Sequence, residues 1–176
     1  MVKKIFPVLL CFCFAAYGFS PHITNQTRNQ YKSREVVVIA ENGSAKLPII
    51  ISENADNVVK ESANELAFYL EKITGAKFEI KTNQSGSGIF LGTISEFPTI
   101  SASEGLKIYD IFDGKEAYAI RTENKSIKLL GATSMGASYA AGRFLELIGC
   151  RFFFQSPVWT VVPKVSKITF NINETD

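Results

Sequence analysis

Cys150, His22, Asp110, Asp113 and Glu116 are the side chains of this sequence whose types could carry chemistry. With them belongs the glycine-bounded stretch Gly131-Ala-Thr-Ser-Met-Gly136-Ala137-Ser138. That stretch has the glycine spacing of a phosphate-binding loop at a strand-to-helix junction. Ala137, however, stands where such a loop places the lysine that reaches the β- and γ-phosphates. Glycines that relieve crowding, with Thr133 or Ser134 capping a helix, account for it better. A nucleophilic Cys150 would need a histidine base, and the chain's single histidine, His22, lies in a polar leader. The same lack excludes Ser-His-Asp catalysis, and no His or Cys pair offers a metal site. Asp110, Asp113 and Glu116 supply oxygen ligands of the kind Ca²⁺ takes, but without EF-hand spacing. Glycoside hydrolysis needs only two carboxylates. A glycosidase using acids of the 94–116 loop is therefore the alternative reading of function, and a purely structural interaction module is another. No catalytic residue, metal ligand or cofactor is assigned.

Two residues are candidates for binding a ligand. Trp159 sits in the irregular stretch "SPVWTVVP", where a ring can stay exposed to stack on a sugar. Arg151, beside Cys150, is either a surface charge or a salt-bridge donor to a partner. The other aromatics, among them Tyr118, Tyr139 and Phe152 to Phe154, read as core.

The elements that must position these residues are legible from periodicity. "EVVVIA" (35–40) and "KLPIII" (46–51) are β-branched runs around Asn42-Gly43, a two-residue hairpin signal. Pro48 places the second run at an edge or delays its start. Val59, Ala63, Leu66, Leu70 and Ile73 make one apolar stripe at helical period, with Asn54 or Asp56 as N-cap and Gly75 as the αL residue after the helix. Glu61, Glu65, Glu71 and Lys72 fall off the stripe and face water. Strands follow at 77–82 and 88–93, then a surface loop over 94–114, then a hairpin of 116–122 with 126–132 around "ENKS". A second helix spans about Ser134 to Ile148, with Met135, Tyr139, Phe144, Leu145 and Ile148 toward the core and Gly149 as its stop. "CRFFFQ" reads as a short buried strand, and "KITFNI" (167–172) as the last one. Hairpins with only two helices imply an α/β fold, a two-layer sandwich in which two main helices pack on a mixed, mostly antiparallel sheet.

Composition sets the outer limits. Lys3 and Lys4, the apolar run Ile5–Ala16 and Ala16-Tyr17-Gly18 have the anatomy of a secretory signal over residues 1–18. Its apolar run is short for a membrane span. Residues 19–34 read as a flexible leader, and 35–173 as the folded domain. Loss of Lys3 and Lys4 leaves 17 basic residues against 17 acidic ones. No basic patch suits nucleic acid. The expected location is secreted or periplasmic, with no membrane association once the signal is cleaved. Cys11 and Cys13 leave with the signal, so Cys150 remains as a lone thiol and the fold rests on its apolar core.

The order of these segments resembles a family. "ESANELAFYLEKITGAKFEI", "GIFLGT" and "EAYAIRTENKSIKLLGATSMGASYAAGRFLELIGCRFFFQSP…VVPK" resemble the N-terminal accessory domain of exported bacterial glycoside hydrolases, from about Val36 to Ile172. The likeness is to the domain that precedes the barrel in alpha-glucuronidases and beta-N-acetylhexosaminidases (hexosaminidase domain 2). It is closest to the version preceding DUF4838 regions. The resemblance implies a two-layer α/β unit that packs on a catalytic barrel or binds glycan weakly, while the catalytic acids belong to the barrel. No catalytic residue carries over to this sequence.

Overall fold

Asn42 and Gly43 both take positive φ, 51° and 71°, which is the backbone a tight hairpin turn demands. That turn joins β1 (Val37–Glu41) to β2 (Ser44–Ala45), paired Ala40 to Ala45 and Glu41 to Ser44. The structure is a computed structural model that describes residues 36–82, 86–97, 106, 114–153 and 157–176. All of them belong to the unit Ser33–Asp176.

Pro48 ends the hairpin. It has no N–H to give to the ladder, and its carbonyl instead accepts from Ile89 N at 2.8 Å. The chain thereby leaves the first sheet and enters a second as β3 (Ile49–Ile50). Within "KLPIII", which the sequence reading makes one strand, only β3 forms, while β2 precedes it at Ser44–Ala45 in the other sheet. From β3 the chain passes through α1 (Asn57–Thr74) to β4 (Ile80–Lys81), parallel to β3. Asp56 caps α1 by accepting from Val59 N at 3.0 Å. Gly75 closes it at φ 73°, donating to Glu71 O. Val59, Ala63, Leu66, Leu70 and Ile73 are all buried, and Glu61, Glu65, Glu71 and Lys72 are exposed.

β5 (Ile89–Thr93), β6 (Tyr118–Glu123) and β7 (Ser126–Gly131) complete the centre of the second sheet, whose order is β11-β6-β7-β5-β3-β4. The β6–β7 hairpin turns at Asn124 and Lys125, both at positive φ. α2 (Ser134–Leu147) follows β7, capped by Thr133, whose hydroxyl accepts from Gly136 N. Thereafter come β8 (Arg151–Phe152), a 3-10 turn (Pro157–Trp159), β9 (Thr160–Val161), β10 (Lys167–Phe170) and β11 (Asn173–Thr175). β10 pairs with β1 in the first sheet, β11 with β6 in the second, and β8 with β9 as a separate ribbon. Among the described residues five strand pairs are antiparallel and three parallel, so the sheets are mixed and mostly antiparallel. The parallel pairs all lie on the β7-β5-β3-β4 side, where α1 supplies the crossover.

The main core joins both helices to both sheets. Leu66, Leu70, Ile127, Leu129, Phe144 and Phe170 are among its members, and the Phe144 and Phe170 rings meet edge to face at 4.7 Å. A smaller cluster covers the opposite face of the long sheet: Ile50, Phe90, Phe97, Leu106, Ala119 and Leu130. The two-layer α/β arrangement follows from that geometry.

Several expectations need correction. Met135 and Tyr139 are exposed and Ile148 only half-buried, because the buried face of α2 is built from Gly136, Ala137, Ala140, Ala141, Phe144 and Leu145. "CRFFFQ" is not a buried strand. Cys150 is buried, but Arg151 and Phe152 pair with β9 outside both main sheets, and Arg151, Phe152 and Phe153 are exposed. "KITFNI" ends earlier than expected, and the chain then crosses sheets to form β11, an additional strand. Phe97 and Leu106 are buried within the stretch expected to be a surface loop, because the long sheet's second face is apolar. The expected signal, the leader with His22, and Asp110 and Asp113 lie outside the described residues.

Candidate functional site

The glycine-bounded stretch is a packing device. A Cβ on Gly131 would come within 2.0 Å of Ala137 N, and one on Gly136 within 2.5 Å of Ala117 O. Both contacts are with backbone, so only hydrogen fits where β7 turns into α2 and where α2 crosses the approach to β6. Cys150 is likewise structural. Its thiol is buried, and that burial raises its pKa, the opposite of what a nucleophile requires.

Arg151 begins β8 and Trp159 ends the 3-10 turn that leads into β9, so both flank the β8–β9 ribbon. In its register Arg151 faces Val161 and Phe152 faces Thr160, and Phe153 N donates to the Trp159 carbonyl at 3.1 Å. Trp159 is 59% exposed, Phe153 66% and Val158 88%, a concentration of apolar surface that isolated exposed residues do not make. The ribbon leans on α1 through Phe152, whose ring meets Tyr69 edge to face at 5.1 Å. Tyr69 meets Phe68 in the same way at 5.3 Å, and Lys72 sits 4.2 Å above the Phe68 ring. Arg151 is engaged within its own segment. Its Nη1 donates to the carbonyls of Glu146 at 2.7 Å and Cys150 at 2.6 Å, which satisfies the end of α2.

Beside the ribbon lies a cleft of about 520 Å³ over the outer face of α2. Phe152 lines it from the ribbon side, and Glu65 and Ser62 from α1. Glu116, Tyr118 and Asp176 line it from the β6 side. Gly142 and Arg143 come from α2 itself. Sequence reasoning misses this cleft, since it places Tyr139 in the core and gives Arg143 no role. The signal available is Gly142, a helix-breaking residue in mid-helix with no evident local reason to be glycine.

A charged network forms the cleft's far side. Arg143 Nε donates to Glu174 Oε1 at 2.7 Å, and Nη1 reaches Glu146 Oε2 at 3.4 Å. The Tyr118 hydroxyl donates to Glu174 Oε1 at 3.2 Å. Arg143 holds the Glu174 carboxyl below its ordinary range, and burial pushes the Tyr118 hydroxyl up to about 12. Glu174 is therefore an anion and Tyr118 a donor at neutral pH. That is the reverse of the raised carboxyl a glycosidase needs as general acid. Glu116, the described member of the expected acidic loop, is exposed and accepts from the Tyr139 hydroxyl at 3.4 Å. Among the described residues, no three His, Cys, Asp or Glu side chains are grouped to hold a metal ion, and no helix is long and apolar enough to cross a membrane.

No family model matches the chain, and no curated protein matches it. Among solved structures it is similar to a family GH115 4-O-methyl-alpha-glucuronidase with specificity for decorated arabinogalactans. The identity is 23% and the TM-score 0.55, over 79% of this chain and 18% of that one. The GH20 beta-N-acetylhexosaminidase from Streptomyces coelicolor A3(2) aligns at 15% identity and TM-score 0.45, over 78% of this chain and 23% of that one. The chitobiase from Flavobacterium johnsoniae aligns at 16% and 0.47, over 81% and 19%. The fold is one that occurs within a glycoside hydrolase chain. This chain spans about a fifth of the length of these solved structures.

Proposed function

We propose that the chain is a non-catalytic accessory domain of a secreted or periplasmic, carbohydrate-active protein of glycoside hydrolase type, of the kind that precedes DUF4838 regions. In this reading it packs against a catalytic barrel through the β8–β9 ribbon, with Trp159 as the central anchor and Arg151 at the ribbon's base. The observation that carries it is the fold shared with the GH115 glucuronidase over 79% of the chain. The ribbon supports it, because an exposed tryptophan flanked by Phe153 and Val158 has the composition of a buried interface centre. The Arg143–Glu174 pair at the cleft fits the same reading, since it fastens a strand to α2 and holds Glu174 ionised.

The test begins with the DNA downstream of this coding stretch, where a barrel-encoding region is expected. The barrel is then produced apart from this chain and the two are mixed in analytical ultracentrifugation. A complex is expected, with Trp159→Ala weakening it at least about tenfold, the range of interface hot spots. A folded chain that hydrolyses aryl-glycosides or uronides by itself would sink the proposal, and so would a downstream region encoding no hydrolase.

A further inference from the structure

Gly142 lies in the middle of α2, where glycine is about 1 kcal/mol worse than alanine for the helix. Gly131 and Gly136 have a packing reason to be glycine, but Gly142 has none. A Cβ there would meet no atom within 4 Å, and its φ is not positive. Its missing side chain opens the floor of the 520 Å³ cleft, which falls in the roughly 300–1,000 Å³ range of small-molecule sites. The exposed Tyr139 ring and Phe152 line it. So do the carboxylate acceptors of Glu65 and Glu116 and the guanidinium of Arg143.

From this geometry we infer that the cleft over Gly142 binds an uncharged pyranose unit of a glycan, stacked on Tyr139 with its hydroxyls held by the carboxylates. Aromatic faces take the C–H side of a sugar, and carboxylate oxygens accept from hydroxyls. The charge balance selects against uronates. Glu65, Glu116, Glu146 and Asp176 line the cleft, and its Arg143 is already engaged by Glu174 and Glu146. A bound carboxylate would meet acidic neighbours and no free cation. This inference rests on the carbohydrate reading above but uses a different surface from the ribbon.

The test is NMR titration of the folded chain with xylotetraose, cellotetraose, chitotetraose, a glucosamine tetramer and trigalacturonate at millimolar concentration. At least one of the three uncharged oligomers is expected to shift the α2 amides around Gly142, and trigalacturonate to shift none. Gly142→Leu, which fills the floor, should weaken that binding at least about tenfold. Tyr139→Ala, a change at an exposed side chain, should weaken it at least about fivefold, whereas Trp159→Ala should leave it unchanged. Gly142→Ala serves as a fold control and should melt no lower than the wild type. The inference is overturned by silence across the uncharged oligomers, by preferred binding of trigalacturonate, or by salt-sensitive binding of the glucosamine tetramer alone. Binding abolished by Trp159→Ala but kept in Gly142→Leu overturns it too, and moves the sugar to the ribbon. Sugar binding at the cleft together with downstream DNA that encodes no hydrolase would sink the accessory-domain reading and leave this one standing.

Discussion

Arg143 on α2 and Glu174 on β11 meet at 2.7 Å, and that pair fastens the last strand to the helix layer. β11 itself is short and polar, Asn-Glu-Thr, with no apolar side chain to bury. Its attachment therefore depends on β6 main-chain pairing and on side chains, including Arg121 Nη1 donating to the Glu174 carbonyl. Arg143 is 40% exposed, so solvent screening keeps the pair modest. Glu174→Gln should lower stability measurably at neutral pH in urea unfolding. The folded-state pKa of Glu174 is depressed, with the Arg143 hydrogen bond as first cause. Its contribution is thus present above the ordinary carboxylate pKa and fades as pH falls through the folded value. The gap between wild type and Glu174→Gln should narrow as pH falls below the ordinary carboxylate range. A gap that persists there would show that the carboxylate's charge is not what holds β11.

Leu66 is fully buried where α1 packs against the strands, and it also borders the α2 cleft. Leu66→Ala should destabilise the protein by about 2–5 kcal/mol in denaturant titration, the usual result of removing buried methylenes from a packed core. A loss below about 0.5 kcal/mol would match a surface position and contradict the packing of α1.

The elements legible in the sequence are those whose local chemistry and tertiary role agree. The α1 stripe, Asp56, Gly75 and the Asn42-Gly43 turn each satisfy a local rule that the fold then uses. α2 misleads because its buried face is made largely of glycine and alanine, so Met135 and Tyr139 look like the larger core candidates. Small residues let helix and sheet backbones approach, and hydropathy alone does not register that. "RFFF" misleads for the opposite reason: Phe152 and Phe153 are exposed on a ribbon outside both main sheets. β11 is hidden because a polar strand held by Arg143, Arg121 and Tyr118 leaves no period-two pattern. Of the site, Trp159 and Arg151 can be singled out by residue type. The cleft cannot, since it brings together residues from Ser62 to Asp176.

Gly131 and Gly142 should respond in opposite ways to the same substitution. A methyl group on Gly131 meets three backbone atoms within 2.4 Å, and no side chain can swing aside to admit it. Gly131→Ala should therefore cost at least about 3 kcal/mol, the upper range for overpacking, or prevent folding. Gly142→Ala adds a methyl to open space on a helix and should raise stability by about 0.5–1 kcal/mol. Paired thermal melts check both. Equal effects at the two positions would mean that the β7–α2 junction is not as tight as described.

Lys128 supplies the pH dependence at the alkaline end. It lies on β7 at the centre of the long sheet, 8% exposed, with Nζ 3.2 Å from the Phe90 ring centroid. On the neighbouring strand β6 it pairs in register with Arg121, and Glu123 is the charge that favours its protonated form. Burial outweighs that help and lowers the amine to about 8. The folded state thus releases a proton that the unfolded chain keeps until about 10.4. Between about pH 8 and 10 the unfolded state binds more protons, so this group's contribution to stability rises with pH. Across the full interval the gain is on the order of 3 kcal/mol. Tyr118 acts in the opposite direction, and only once the unfolded chain's tyrosine begins to ionise at about pH 10, so the comparison belongs below that value. Urea unfolding at about pH 7.5 and about pH 9.5 should show wild type gaining stability relative to Lys128→Met, whose uncharged side chain has nothing to titrate. A constant difference between the two proteins would mean that Lys128 stays protonated over Phe90 throughout, with the cation–π contact compensating for its burial.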